Sequence, residues 1–129
     1  MTGQGSAIET IIKDYIESKD RSHRCTRKRN DQEKEYNKLL TIYSGEVKNY
    51  TLEQADKIYL AYQDMIISGE EASLAESNFL EAEKKLNELG AILFDATINA
   101  EIDLIDGHGT ASIRKPVTVA YFNGQVVVS

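Results

Sequence analysis

Apolar and polar residues near the N-terminus alternate with the period of an α-helix. Ser6, with Glu9 three residues later, matches a capping box, which predicts the start of this helix. Further along, the positions at the same spacing are polar from Lys19 to Glu33 and apolar again from Tyr36. Because no Gly or Pro intervenes, we expect a mostly continuous helix, with a break between about residues 20 and 30 as the alternative. The first apolar stripe consists of Ile8, Ile11, Ile12, Tyr15 and Ile16.

Two more helical segments are expected before residue 97. Ser44 and Gly45 are typical of a helix end, and Thr51 with Gln54 matches another capping box. Ser68-Gly69 is expected to end the second helix and start the third. The buried face of the second helix is predicted to be Leu52, Ala55, Ile58, Tyr59, Tyr62, Met65 and Ile66.

The third helix has the most regular pattern in the chain. Its apolar residues alternate three and four apart, which is the a/d spacing of a coiled coil. Gly90 falls outside this stripe and marks the expected kink or early end. The stripe is Ala72, Ala75, Phe79, Ala82, Leu86, Leu89, Leu93 and Ala96.

After Thr97 the period changes from helical to strand-like. Apolar residues alternate with polar ones over residues 98–104, residues 106–109 are turn formers, and residues 111–114 are expected to return antiparallel. Pro116 suits the start or the edge of a further strand, and Asn123-Gly124 predicts a type I′ hairpin turn. The predicted fold class is α+β. A disordered tail at 1–5 precedes helices over 6–97, which form one structural unit with a β-hairpin or short meander over 98–129.

These patterns favour assembly, because the chain needs a surface on which to complete its core. A lone hairpin is marginal in water, and its edges favour a partner sheet or a covering helix. We expect a helical packing seam at Phe79, Leu86, Leu89 and Leu93. A monomeric helical bundle uses the same heptad positions and is the alternative. The residues expected to dock by strand addition are Val117, Val119, Tyr121, Val126 and Val128.

Charge is unevenly distributed along the chain, whose formal net charge is −6. Residues 19–29 hold six basic residues and one acid, whereas residues 70–106 hold ten acids and two lysines. The basic segment can be a solvated face, a seam matched to the acidic third helix, or an anion-binding surface. No aromatic residue is interleaved, so stacking on nucleic-acid bases is not indicated. Its candidate anion-binding residues are Arg21, Arg24, Arg27, Lys28 and Arg29.

The residues available for catalysis or metal binding are few. His23 and Cys25 lie two apart, so on a helix they point in different directions. Asp103, Asp106 and His108 cluster at a turn whose spacing matches no calcium loop. We therefore expect no catalytic residues, no metal and no cofactor. A metal-dependent regulator or small enzyme using these residues is the less favoured alternative.

Cysteine usage and hydropathy bear on location. Cys25 is the single cysteine, so no disulfide forms within the chain, and no apolar run approaches the ~18 residues of a membrane span. We expect a cytoplasmic protein, or part of a particle assembled in the cytoplasm. The predicted function is structural: a non-enzymatic protein that forms a homo-oligomer or connects subunits of a larger complex, such as a virus particle. A nucleic-acid-associated protein using residues 19–29 is the alternative.

Overall fold

The computed structural model describes residues 6–43, 49–105 and 112–129. These residues form helix α1 (Ala7–Ile42), helix α2 (Leu52–Glu88) and a 3₁₀ turn (Leu89–Ala91). Three strands follow: β1 (Thr97–Ile105), β2 (Ser112–Phe122) and β3 (Gln125–Val128). The prediction of an α+β fold is therefore confirmed. The tail at 1–5, the helix stop at Ser44-Gly45 and the turn at 106–109 lie outside the described residues.

Helix α1 begins where the capping box predicts and continues without interruption. The backbone N–H of Glu9 donates to Ser6 Oγ at 3.3 Å, which satisfies one of the free amides of the first turn. The polar stretch around residues 20–30 remains helical. Of the polar residues at the continued 4-3 spacing, Ser22 is buried and Thr26 and Arg29 are half-buried, whereas Lys19 and Glu33 are exposed.

Helix α2 replaces the two separate helices expected after residue 51, so the prediction of three helical segments is corrected to two. Thr51 and Gln54 form the predicted capping box, with reciprocal bonds of 3.0 and 3.2 Å. The predicted break at Ser68 does not occur. Ser68 lies three residues after Met65 and four before Ala72, so it belongs to the inward-facing stripe of one continuous helix. Ser68 is only 1% exposed, and its hydroxyl donates to the Met65 carbonyl at 3.1 Å instead of capping a new helix.

The chain divides into two compact units. Unit 1 comprises residues 1–21 and 76–129, and unit 2 comprises residues 22–75. Unit 2 is a helical hairpin in which the rings of Tyr36 and Tyr62 meet at a centroid distance of 5.7 Å. The buried residues among those described in this hairpin are all small: Ser22, Ala61, Ser68, Ala72 and Ala75. The predicted coiled coil is not confirmed.

The sheet of unit 1 is an antiparallel meander in the order β1-β2-β3. Asn123 and Gly124 have φ angles of +51° and +80°, as the predicted type I′ turn requires. Strand β2 runs through Pro116, so the proline does not start the strand, and it lies where β2 has no partner strand on the side away from β1 among the described residues. The Thr118/Ser129 pair fixes the alternation of backbone groups and turns the Pro116 nitrogen away from β1. That position lies beyond the paired length of β3, so the proline costs no ladder hydrogen bond.

The core of unit 1 lies between one sheet face and two helical segments. The start of α1 contributes Ile12, and the end of α2 and the turn after it contribute Leu86, Leu89 and Leu93. Residues of all three strands at alternate positions complete the core, because successive strand side chains point to opposite faces. These strand residues are Ile102, Val117, Val119 and Val126.

Truncation of Leu86 tests this core against a leucine outside it. Leu86 is 1% exposed and Leu80 on the same helix is 55% exposed. We expect Leu86→Ala to lower the free energy of unfolding by ~2–5 kcal/mol, the range for buried leucines. Leu80→Ala is the matched control and should change it by less than about 0.5 kcal/mol. Chemical denaturation measures both values. Equal losses for the two variants would contradict the assigned core.

Replacement of Gly69 tests the continuity of α2. A methyl group at Gly69 meets no atom within 4 Å, so Gly69→Ala should stabilise the helix by about 0.4–1 kcal/mol. Gly90 provides the contrast, since a methyl group there lies 3.0 Å from Cε2 of Tyr121. Gly90→Ala requires the Tyr121 ring to shift by a few tenths of an ångström, so it should be less stable than Gly69→Ala by about 1–3 kcal/mol. Thermal unfolding measures the change in stability of each variant relative to wild type. Destabilisation by Gly69→Ala would mean that the helix does need glycine there.

Candidate functional site

Helix α2 has a second apolar face opposite its buried one. Within unit 2 the buried positions recur at 3-4 spacing around Ala61, Ser68 and Ala72, whereas the large side chains lie on the other side. This outer face corrects the predicted buried face of the second helix, four of whose residues are exposed: Leu52, Tyr59, Tyr62 and Ile66. Only Ala55, Ile58 and Met65 of that set are half-buried. We define the outer face of α2 as Leu52, Tyr59, Leu60, Ile66, Ile67 and Leu74.

The size distribution on α2 is inverted relative to an ordinary amphipathic helix. The fully buried residues of the inner stripe are small, so this stripe buries little apolar area. The bulky residues stay in contact with solvent, and Ile67 at the middle of the face is 52% exposed. Asp56, Gln63 and Glu70 are exposed between these apolar residues, so the outer face is a mixed one. Large apolar side chains clustered on a surface and rimmed by polar residues are typical of interaction sites. The outer face is therefore a candidate interaction surface.

The sheet has two edges without a neighbouring strand among the described residues. Thr118 and Ser129 exchange two backbone hydrogen bonds of 2.8 Å, which fixes the alternation along β3. Val127 therefore faces β2, whereas Val126 and Val128 direct their backbone groups to the open edge. On β1 the same alternation directs the backbone groups of Ile105 away from β2.

A helix side chain covers one amide on each edge. Glu17 of α1 accepts a hydrogen bond from the Ile105 N–H at 3.2 Å, and Asn87 of α2 accepts one from the Val126 N–H at 3.2 Å. Natural sheets commonly protect edges in this manner, because free amides pair readily with other strands. The two edges differ in the rest of their length: β1 extends over nine residues and β3 over four.

Charged residues occupy the solvent face of the sheet beside β1. Arg114 Nε lies 3.0 Å from Glu101 Oε2, and Arg114 Nη1 lies 3.2 Å from Asp103 Oδ1. Hydrogen bonds to Glu101 and then to Asp103 raise the pKa of the Arg114 guanidinium above its ordinary value. Asp103, one of the predicted metal-binding alternatives, is thus engaged in an ion pair. The β1 side of the sheet is a charged surface.

A groove of about 230 Å³ runs beside the open edge of β3. The strand itself forms one wall, and Tyr15, Lys19, Glu83 and Asn87 form the other. The Tyr15 ring packs against Phe79, with ring centroids 5.6 Å apart, which anchors this wall to the core side of unit 1. The groove holds one cationic and one anionic side chain beside an uncharged strand.

The predicted seam residues lie on the inward side of unit 1. Leu86, Leu89 and Leu93 belong to its core, and Phe79 is half-buried against Tyr15. The structure thus brings three of them together with the sheet of their own chain. The seam prediction did not include the outer face of α2. Extending the 4-3 stripe backwards from Ala72 through Ser68, Met65 and Ala61 would have found this face.

The predicted docking residues divide between a central and an edge strand. Val117 and Val119 are buried in β2, which pairs with β1 along one side and with β3 over part of the other. Tyr121 is partly exposed in β2 near its turn. Val126 and Val128 lie in β3 and present backbone groups at the open edge. Of the five docking positions, these two are next to an unpaired edge.

The predicted anion-binding residues lie on α1. Arg21, Arg24 and Arg27 are exposed, and Arg29 is half-buried with a 3.5 Å bond to Asn30. Within unit 2, Lys28 Nζ lies 3.7 Å from Glu71 Oε2, which is the kind of basic–acidic contact considered from the sequence. This ion pair is exposed on both sides and contributes at most about 1 kcal/mol.

Of the five potential metal and thiol ligands, the structure describes His23, Cys25 and Asp103. His23 is exposed and Cys25 is half-buried on α1, whereas Asp106 and His108 lie outside the described residues. Within residues 6–43, 49–105 and 112–129, no group of three His, Cys, Asp or Glu side chains is placed to hold a metal ion. Over the same ranges, no helix has a stretch apolar enough to cross a bilayer.

Comparison with protein families, curated proteins and solved structures found no match to this chain. Its function must therefore be argued from its own surfaces. Two of them combine exposure with a pattern that another polypeptide can match: the outer face of α2, and the open edge of β3 with its groove.

Removal of each edge-covering side chain tests the two sheet edges. Asn87→Ala should speed hydrogen exchange at the Val126 amide about fivefold, the effect of losing a ~1 kcal/mol hydrogen bond. The Ile105 amide should not respond. Glu17→Ala is the reciprocal control and should affect Ile105 alone. NMR exchange rates on dilute protein provide the measurement, and a uniform change at both amides would argue against local edge protection.

Proposed function

We propose that this chain is a non-enzymatic assembly protein that binds a second copy of itself through the outer face of α2. The observation that carries the proposal is the inverted packing of α2, whose large apolar side chains are exposed while small ones are buried. A face of this kind is unfavourable in water, and covering it supplies the apolar burial that drives association.

The area of the outer face suits a modest protein interface. Its six side chains expose on the order of 600 Å², so two copies bury roughly 1,200 Å², the lower end of standard interfaces. A self-complementary row supports a second copy as the occupant. Leu60, Ile67 and Leu74 are evenly spaced by seven residues. Two antiparallel helices with Ile67 opposite its own counterpart therefore place Leu60 of one copy opposite Leu74 of the other.

Charge on the same helix determines how this association depends on salt. Residues 52–75 hold five acids and one lysine, so their net charge is −4. Asp56 and Glu70 lie on the outer face itself, so these like charges repel one another between two copies, and dissolved salt screens the repulsion. Self-association through the apolar row should therefore persist or strengthen as salt is added. Pairing of basic residues 19–29 with acidic residues of another copy would weaken instead.

A glutamate at the centre of the row tests the proposal. We expect wild-type protein to show a multiple of 14.5 kDa by light scattering, and Ile67→Glu to weaken association at least about 30-fold, the effect of losing a ~2 kcal/mol contact. Ile67 is exposed in the single chain, so the fold should be retained, as circular dichroism can verify.

Asn37→Glu is the matched control, because it adds the same charge at an exposed position of α1. This variant should associate like wild type. A wild-type mass of 14.5 kDa at every concentration, or equal weakening by both variants, would refute the proposal.

Nucleic-acid association through residues 19–29 is the second candidate function. The exposure of Arg21 and Arg27 favours it, since guanidinium groups can neutralise backbone phosphates. The formal charge of −6 and the contact of Lys28 with Glu71 oppose it. Short duplex DNA added to the same light-scattering experiment discriminates the two, because only this second function raises the mass by the mass of DNA, and only at low salt.

A further inference from the structure

We propose that β3 pairs antiparallel with β3 of a second copy, with Val127 on the two-fold axis, so that two three-stranded sheets become one continuous sheet. The inference deepens the proposed function, on whose claim of self-association it rests, by adding a second surface in the other unit. Its occupant is another copy of this chain.

The two sheet edges differ in their suitability for pairing. The β1 side carries Glu101, Asp103 and Arg114, and such charges oppose edge-to-edge association. Strand β3 has the sequence Gln-Val-Val-Val, with no charge and no proline. Its β-branched residues favour extended backbone and match an identical strand without repulsion. We therefore assign the pairing to β3.

The alternation along β3 defines the register of the pair. Val126 and Val128 direct their N–H and C=O groups to the open edge, whereas Val127 uses its own groups on β2. When Val127 faces Val127 of the second copy, Val126 of each copy meets Val128 of the other. Each of these pairs exchanges two backbone hydrogen bonds, so the joined edge gains four. Neither strand gives up a bond to its own sheet.

Asn87 occupies one of the groups that this pairing needs. Its side chain accepts the Val126 N–H at 3.2 Å, and in the pair the Val128 carbonyl of the second copy takes that role. The exchange keeps the amide satisfied in both states, so a single copy tolerates the open edge. Asn87 also lines the groove beside β3, into which the inward side chains of the added strand project.

The groove and the outer sheet surface both suit an identical partner. The groove carries Lys19 and Glu83, one charge of each sign, so two copies meet with no net repulsion from these groups. On the solvent face, Val127 is 43% exposed and lies opposite Ala120, with Phe122, which is 66% exposed, as its diagonal neighbour on β2. Pairing across a two-fold axis doubles this apolar patch and covers part of it.

A chain with two self-complementary surfaces has a consequence for stoichiometry. One isologous contact alone closes at a dimer, whereas two different ones alternate into larger closed or open assemblies. The outer face of α2 and the β3 edge lie in different units, so a substitution in one leaves the other intact.

A charge exchange at Val127 tests the inference. In the proposed pair the two Val127 side chains are directly opposed, so Val127→Lys and Val127→Glu should each lose the contact through like-charge repulsion. An equimolar mixture of the two variants should regain it, because lysine then faces glutamate. Thr97→Lys and Thr97→Glu, at an exposed position of β1, are the matched controls and should behave like wild type alone and when mixed.

Light scattering in two backgrounds separates this interface from the one on α2. In wild type we expect a mass above twice 14.5 kDa at high concentration, falling to twice that value with either Val127 variant. With Ile67→Glu also present, each single-charge variant should be 14.5 kDa and the mixture a dimer. Masses that do not respond to Val127, or a mixture that does not recover, would overturn the β3 pairing. If Ile67→Glu did not weaken association while the Val127 variants behaved as expected, only the proposed function would be overturned.

Discussion

The packing of Leu86 and Leu93 against Ile12 and the inner sheet face is the contact on which unit 1 depends. It joins the start of α1, the end of α2 and all three strands in one apolar core. The sheet alone could not persist in water, since a small meander needs a covering layer. The helices supply that layer and also reach both open edges through Glu17 and Asn87. The same core therefore holds the sheet against the helices and brings Glu17 and Asn87 to its two edges.

Unit 2 follows a different packing rule from unit 1. Its fully buried residues, among those described, are alanine and serine, and burial of such small side chains yields little hydrophobic free energy. The larger apolar residues of α2 remain outside. Association through this outer face would add the burial that the hairpin lacks. Stability and assembly are coupled in that case, because the same face contributes to both.

Much of the fold could be predicted from the sequence, but the sites only in part. The capping box at Thr51 and the turn at Asn123-Gly124 depend on neighbouring residues, and both are confirmed. The helix end predicted at Ser68-Gly69 was wrong. Serine and glycine favour helix ends, but the burial of Ser68 on the inner side of α2 overrides that local preference. The Asn87 contact joins residues 39 apart, and the Glu17 contact joins residues 88 apart. Such pairs depend on tertiary structure and have no signal in spacing.

Unit 1 is built from two segments that are far apart in the sequence, and this affects how the chain folds. Its core joins residues near position 12 to residues beyond position 86, with the whole of 22–75 between them in sequence. Closing such a long loop is entropically unfavourable and slows folding when the intervening chain is disordered. The hairpin of unit 2 contains contacts that are more local. If it orders first, the two segments of unit 1 are already tethered by a folded element rather than by a flexible loop, and the kinetic barrier to forming the core is lower.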